Sequence, residues 1–172
     1  MPRYVGLLRG VNVGGKNSVP MAQLRALLSS LGHSAVTTYI QSGNIVFTSE
    51  KPVTPTSLET AIATEFGVKI VVMLRTPGEL TKIVKTNPFA SVDRSKVHVG
   101  FMTAQPPAAT VAQLDPEPFL PEEFLIKGTE LYVYLPNGMG RTKLMAYLGR
   151  QLNVPITVRN WNTVMKLVEL AG

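Results

Sequence analysis

Hydrophobic and polar positions alternate along the chain in short strand-like runs, separated by stripes at helical spacing. Tyr4 to Arg9 predicts a strand, and the Gly- and Asn-rich stretch Gly10 to Asn17 predicts a loop. Met21, Leu24, Leu28 and Leu31 share one face of a helix predicted over Val19 to Leu31, with Pro20 in its first turn and Gly32 at its stop. Val36 to Ile40 and Ile45 to Ser49 form a hairpin around Gln41-Ser42-Gly43-Asn44. Thr54-Pro55 opens a second helix carrying Leu58, Ile62 and Phe66 before Gly67, and Val68 to Leu74 predicts a fourth strand. Thr76 and Glu79 have the spacing of a capping box at the start of a third helix.

The second half repeats this order. Strand Val97 to Met102, a short helix near Ala108 to Leu114, hairpin Phe124 to Ile126 with Leu131 to Leu135, helix Lys143 to Leu152, strand Ile156 to Arg159 and helix Trp161 to Leu170 follow in turn. Arg75, Lys82, Ile83 and Val84 have counterparts in Arg159, Lys166, Leu167 and Val168, each 84 positions on. The order β-α-β-β-α-β is that of the ferredoxin-like fold. The expected class is therefore α+β, with two ferredoxin-like subdomains each followed by an extra helix: residues 1–86, a connecting segment 87–96, and residues 97–172.

Composition narrows the chemistry. The chain has 172 residues, 14 Gly, 13 Pro and no Cys, which excludes disulfides, thiolate catalysis and Cys-ligated metal, and two lone histidines offer no metal site. Apolar stretches such as Val68 to Leu74 fall far short of the ~20 residues that span a bilayer, and the N-terminus has no secretory pattern, so a cytoplasmic protein with no membrane partner is expected. The net charge of +6 is unevenly spread. Residues 1–49 hold Arg3, Arg9, Lys16 and Arg25 and no acid, and residues 131–168 hold five bases and no acid. Such asymmetry suggests an anionic partner, the alternative being a basic solvated surface.

Two glycine loops carry the candidate site. Gly10-Val11-Asn12-Val13-Gly14-Gly15-Lys16-Asn17 fits G-x-x-x-x-G-K, but Asn17 stands where a phosphate-binding loop of the nucleotide triphosphatases needs Ser or Thr, and Pro20 delays the helix. What survives is an anion-binding nest of glycine amides beside Arg9 and Lys16, or a glycine turn required by geometry alone. Pro136-Asn137-Gly138-Met139-Gly140-Arg141-Thr142-Lys143 is a second such junction. Thr142 reads as the N-cap, which sets Arg141 and Lys143 beside the positive end of a helix with no acid near in sequence. Asn160 reads as the N-cap of the last helix and Trp161 as a core anchor.

Long blocks resemble a known family: Leu7 to Lys16, Tyr39 to Asn44, Val97 to Phe101, Pro136 to Leu144 and Arg159 to Thr163 are similar to the hallmark blocks of the bacterial family catalogued as domain of unknown function 1697. The resemblance covers essentially the whole chain. It implies two subdomains similar to the ferredoxin-like fold and brings no established activity, cofactor or catalytic residue.

The expected function is binding of a phosphate- or carboxylate-bearing small molecule or nucleotide in a basic cleft between the subdomains. Arg9, Asn12, Gly14, Gly15, Lys16, Asn137, Gly138, Gly140, Arg141, Lys143 and Arg159 are its candidates, and Gln41, Ser42, Asn44 and His98 are candidates for further contacts. His98 is a candidate base but has no partner carboxylate in the sequence, and His33, just after a helix stop, is expected to be exposed. Nonspecific nucleic-acid binding is one alternative; a specific RNA reader is not expected, because Ser42 to Thr48 offers one Phe and no basic residue at its start and the Tyr4 strand lacks the companion pattern of RNA-recognition modules. The other is an enzyme acting by electrostatic stabilisation of an anionic substrate, drawing on Lys16, Lys143, Tyr39, His98 or Ser42.

Overall fold

Two four-stranded antiparallel sheets organise the chain, which a computed structural model describes over residues 2–172. The first sheet contains β1 (Arg3–Arg9), β2 (Ser34–Tyr39), β3 (Asn44–Thr48) and β4 (Val71–Arg75), in the order β2-β3-β1-β4. Its helices are α1 (Met21–Ser30), α2 (Pro55–Phe66) and α3 (Pro77–Lys85). The second sheet contains β5 (Val97–Met102), β6 (Glu123–Lys127), β7 (Glu130–Tyr134) and β8 (Ile156–Asn160), in the order β6-β7-β5-β8. In chain order, α4 (Ala108–Ala112) follows β5, α5 (Lys143–Leu152) follows β7 and α6 (Trp161–Ala171) follows β8. This is the ferredoxin-like strand order, twice.

The caps read from the sequence form as hydrogen bonds. Thr54 Oγ1 accepts from Ser57 N at 3.2 Å, Thr142 Oγ1 from Met145 N at 3.2 Å and Asn160 Oδ1 from Thr163 N at 2.9 Å. Thr76 and Glu79 exchange two bonds of 3.2 Å, as a capping box requires.

Several element ends differ from the sequence expectation. β4 begins at Val71 rather than Val68 because its partner β1 ends at Arg9, which pairs with Val71, so earlier residues have no ladder to join. Pro20 is the extended N-cap residue of α1 rather than part of its first turn. β2 starts earlier and carries an irregularity between Ser34 and Thr37, where Ala35 has φ 49°. A 3₁₀ turn at Glu117–Phe119 follows the short α4.

Pairing registers make the duplication specific. Val5 pairs with Val46 and Arg75, and Val99 pairs with Tyr132 and Arg159. Gly6 and Gly100 follow at equivalent positions, where a Cβ would lie 2.6 Å from Ile45 Cγ1 and 3.0 Å from Ile156 Cγ2 respectively. The 84-residue echo between Arg75 and Arg159 is thus an identity of place in the ladder.

Close packing divides the chain into two units, one holding residues up to Lys82 together with Lys166–Gly172, the other Ile83–Met165. In the first, Leu8, Ile45, Phe47 and Val72 of the sheet pack on Leu24 and Leu28 of α1 and Leu58 and Ile62 of α2. In the second, Met102, Leu131 and Val133 pack on Leu144, Leu148 and Leu152 of α5. The alternate strand residues are buried as well, Val5, Leu7, Val46 and Met73 in one sheet and Val97, Val99, Phe101 and Tyr132 in the other. The central strands are therefore buried on both faces, which accounts for their nearly unbroken apolar runs, whereas the edge strands β2 and β6 keep exposed positions. At the ends of these faces, Arg3 donates to Leu170 O at 2.9 Å, and the Tyr132 hydroxyl donates to Ile83 O at 2.9 Å.

Candidate functional site

Residues 10–17 leave β1 as a small closed hairpin. Lys16 N donates to Val13 O at 2.9 Å around Gly14 (φ 57°) and Gly15 (φ 74°), the two positive φ values that a type I′ turn demands. Gly14, Gly15, Lys16 and Arg9 are exposed, and Val13 is 64% exposed at the tip. The carboxamides of the loop are spent on its own architecture. Asn12 donates to Val19 O at 2.9 Å and Gln41 O at 2.8 Å, and its Oδ1 accepts from Val19 N at 2.8 Å. Asn17 Nδ2 donates to Gly10 O at 3.0 Å. Asn12 thus ties the β1–α1 loop to the β2–β3 turn.

That turn is equally fixed. Leu8 N donates to Gly43 O at 2.8 Å, and Gly43, at φ 91°, approaches so closely that a Cβ would lie 2.7 Å from Val11 Cγ2. Asn44 is fully buried, its Nδ2 donating to Tyr39 O at 2.9 Å and Ser42 Oγ at 3.1 Å, whereas Gln41 and Ser42 are exposed.

In the second unit, residues 136–143 lead from β7 into α5. Gly138 turns the chain at φ 81°, its amide donating to Leu135 O at 3.0 Å, and a 3₁₀ turn spans Met139–Arg141 before Thr142 caps the helix. The expectation that no acid lies near this loop is overturned. Glu122, only 9% exposed, places Oε1 3.3 Å from Leu144 N, so one orphan amide of α5 is satisfied by a carboxylate from the segment before β6. Its own amide donates to Phe119 O at 2.8 Å, which fixes the turn that aims it.

Around this carboxylate is a pocket of about 400 Å³ lined by Pro118, Phe119, Leu120, Pro121, Glu122, Asn137, Arg141 and Lys143. Asn137, Arg141 and Lys143, three of the candidates from one loop, line it together. Arg141 and Lys143 are exposed. Phe119 is steadied by the Tyr147 ring of α5, centroids 4.7 Å apart, while the Tyr147 hydroxyl accepts from Asp115 N at 3.0 Å. Sequence reasoning missed Glu122 and the apolar wall. The available signal was an acid directly after the Pro-rich run 116–121, at the entrance to an edge strand.

Arg159 lies elsewhere, in β8, with 6% exposure. Its Nη1 donates to Thr157 Oγ1 at 2.6 Å and Val158 O at 3.1 Å, and burial lowers its pKa to about 10. His98 is half-buried in β5, its Nδ1 sealed without a hydrogen-bond partner. Burial lowers its pKa, opposed in part by the Lys96 backbone. His33 is not exposed as expected: it is half-buried, its ring 4.8 Å from that of Phe47, and burial lowers its pKa too. The hydrophobic surface at the sheet end recruits the imidazole that follows the helix stop. Trp161 is buried, as its helical spacing implies. Among the described residues, no helix is long and apolar enough to cross a membrane, and no three His, Asp or Glu residues gather where they could hold a metal.

Fold and loops define an α+β protein of duplicated ferredoxin-like units, each with a glycine-rich strand-to-helix junction. The family model described as "Protein of unknown function (DUF1697)" matches residues 1–132, and the chain belongs to that family. It is similar to the solved structure of conserved bacterial protein SP0830 from Streptococcus pneumoniae, at 29% identity and a TM-score of 0.78, over 99% of both chains. No curated protein matches it.

Proposed function

We propose that the protein binds a small molecule bearing a phosphate or carboxylate group, a nucleotide included, in the pocket at the start of α5. The observation that carries this reading is that Asn137, Arg141 and Lys143 line one pocket with the apolar residues Pro118, Phe119, Leu120 and Pro121. The two cations sit at a helix N-terminus, so their charges and the dipole act in the same direction on an anion. The planar Arg141 guanidinium suits a forked pair of bonds to phosphate or carboxylate. The apolar wall offers burial to the rest of the molecule, the usual division of labour in a ligand pocket.

Calorimetric titration with nucleoside monophosphates tests it. Arg141→Ala is expected to weaken binding by roughly 1.5–3 kcal/mol, the value of a hydrogen bond to a charged group. Equal affinity in both proteins overturns the reading.

A second reading, binding to a nucleic-acid backbone, is favoured by the first unit, where Lys16 and Arg9 are exposed beside the Gly14-Gly15 turn in a stretch with no acid before Glu50. Short RNA titrated over a range of salt separates the two. Multiple phosphate contacts give a steep fall in affinity with salt, and one small anion gives a shallow fall.

A further inference from the structure

We propose that Glu122 makes the α5 pocket selective for zwitterions, small molecules that carry an ammonium group a few bonds from their phosphate or carboxylate; this rests on the anion-binding reading given above. Glu122 is about nine-tenths buried and lines the same pocket as Arg141 and Lys143. Only one of its oxygens is engaged, Oε1 with Leu144 N at 3.3 Å. Among the described residues Oε2 has no hydrogen-bond donor, and neither Arg141 nor Lys143 forms an ion pair with the carboxylate.

Oε2 has no protein donor and is not among the sealed side-chain atoms, so it is left to water or to a donor that a ligand brings. Arg141 and Lys143, although they line the same pocket, are exposed and form no ion pair with that carboxylate. A ligand ammonium placed at Oε2 would complete the set with a charge-assisted bond, while the ligand's anionic group reaches Arg141 and Lys143. The apolar wall of Pro118, Phe119, Leu120 and Pro121 would cover the methylenes that join the two charged ends. The same carboxylate works against a simple anion, since a second negative charge entering the pocket meets that of Glu122 as well as the two cations. Selectivity thus combines an attractive group for one ligand class with a repulsive one for the other.

The experiment compares phosphoethanolamine with propyl phosphate, molecules of similar size that differ by an ammonium in place of a methyl group. Both are titrated by calorimetry into the full chain as wild type, Glu122→Gln and Arg141→Ala, with circular dichroism confirming that each variant is folded. In the wild type, phosphoethanolamine is expected to bind about tenfold tighter or more, the factor a charge-assisted bond supplies. Glu122→Gln keeps an oxygen for Leu144 N and removes the charge, so the ratio should fall to near one, with propyl phosphate binding unchanged or tighter. Equal wild-type affinities for the two probes, or a preference that survives in Glu122→Gln, overturn the zwitterion proposal. If those equal affinities are both lost in Arg141→Ala, the anion-binding reading stands without it. If neither probe binds the wild type, both fall.

Discussion

The amide of Leu144 at the start of α5 donates to the carboxylate of Glu122, 22 positions earlier, at 3.3 Å. A helix end is thereby capped twice, locally by Thr142 and from a distance by an acid on the far side of a hairpin. Glu122→Ala is expected to destabilise the protein by about 0.5–2 kcal/mol, the range for loss of a capping group, and Glu122→Gln by less because an acceptor remains. Urea midpoints of the two variants check this. Equal losses would show that the charge, and not the acceptor, supplies the stability.

Asn12 makes three side-chain bonds, two to Val19 within the β1–α1 loop and one to Gln41 O of the β2–β3 turn. Asn12→Ala should cost about 1–3 kcal/mol from the unsatisfied carbonyls and amide. Asn12→Gly loses the same bonds but relaxes the φ of 54°, so it should be the less damaging change. Chemical denaturation of the pair decides the point, and an Ala variant as stable as the Gly variant would rule out backbone strain at this position.

Gly6 and Gly100 occupy equivalent places in the two sheets but differ in room. An added methyl would meet Ile45 side-chain atoms at 2.6 and 2.8 Å in the first case, and Ile156 Cγ2 at 3.0 Å in the second. Gly6→Ala is expected to cost about 1–3 kcal/mol through overpacking, and Gly100→Ala less. The thermal midpoints should fall in that order, and the reverse order would contradict the packing account.

His33 and His98 both have pKa values lowered from 6.5, burial being the main cause in each. As pH falls through 6.5 the unfolded chain takes up protons before the folded one does. Their contribution to stability is therefore complete above pH 6.5 and declines below it. Unfolding midpoints measured between pH 7.5 and 5.5 should drop, and the slope should be shallower in His98→Gln and in His33→Gln. An unchanged slope in both variants would assign the acid sensitivity to other groups.

Element order was legible in part because four of the six described helices announce their start with a side-chain cap, whereas α1 and α4 follow prolines. Thr54, Thr76 with Glu79, Thr142 and Asn160 are local signals, and each makes the bond its spacing implies. The site was legible only in part. Asn137, Arg141 and Lys143 are close in sequence and share a pocket, but Glu122 reaches it across the β6–β7 hairpin, a juxtaposition that no local spacing encodes. Asn12 and Asn44 illustrate the opposite difficulty. Loop carboxamides read as ligand donors from composition, yet here their hydrogen bonds hold two turns in shape. His33 reads as exposed from its neighbours, and only the pairing of β3 reveals that Phe47 lies against it.

Arg3 donates one guanidinium nitrogen to Thr48 and another to the carbonyl of Leu170, 167 positions away, and residues 166–172 pack with the first unit. A unit whose strand β1 is made well before α6 therefore lacks a piece of itself until that helix has been synthesised. During that interval its sheet, whose central strands are apolar on both faces, waits with one part of its surface unfinished, exposed to premature association. Folding of the early half is in this way timed by the late half, and a nascent chain stalled before α6 would be the species most in need of a chaperone.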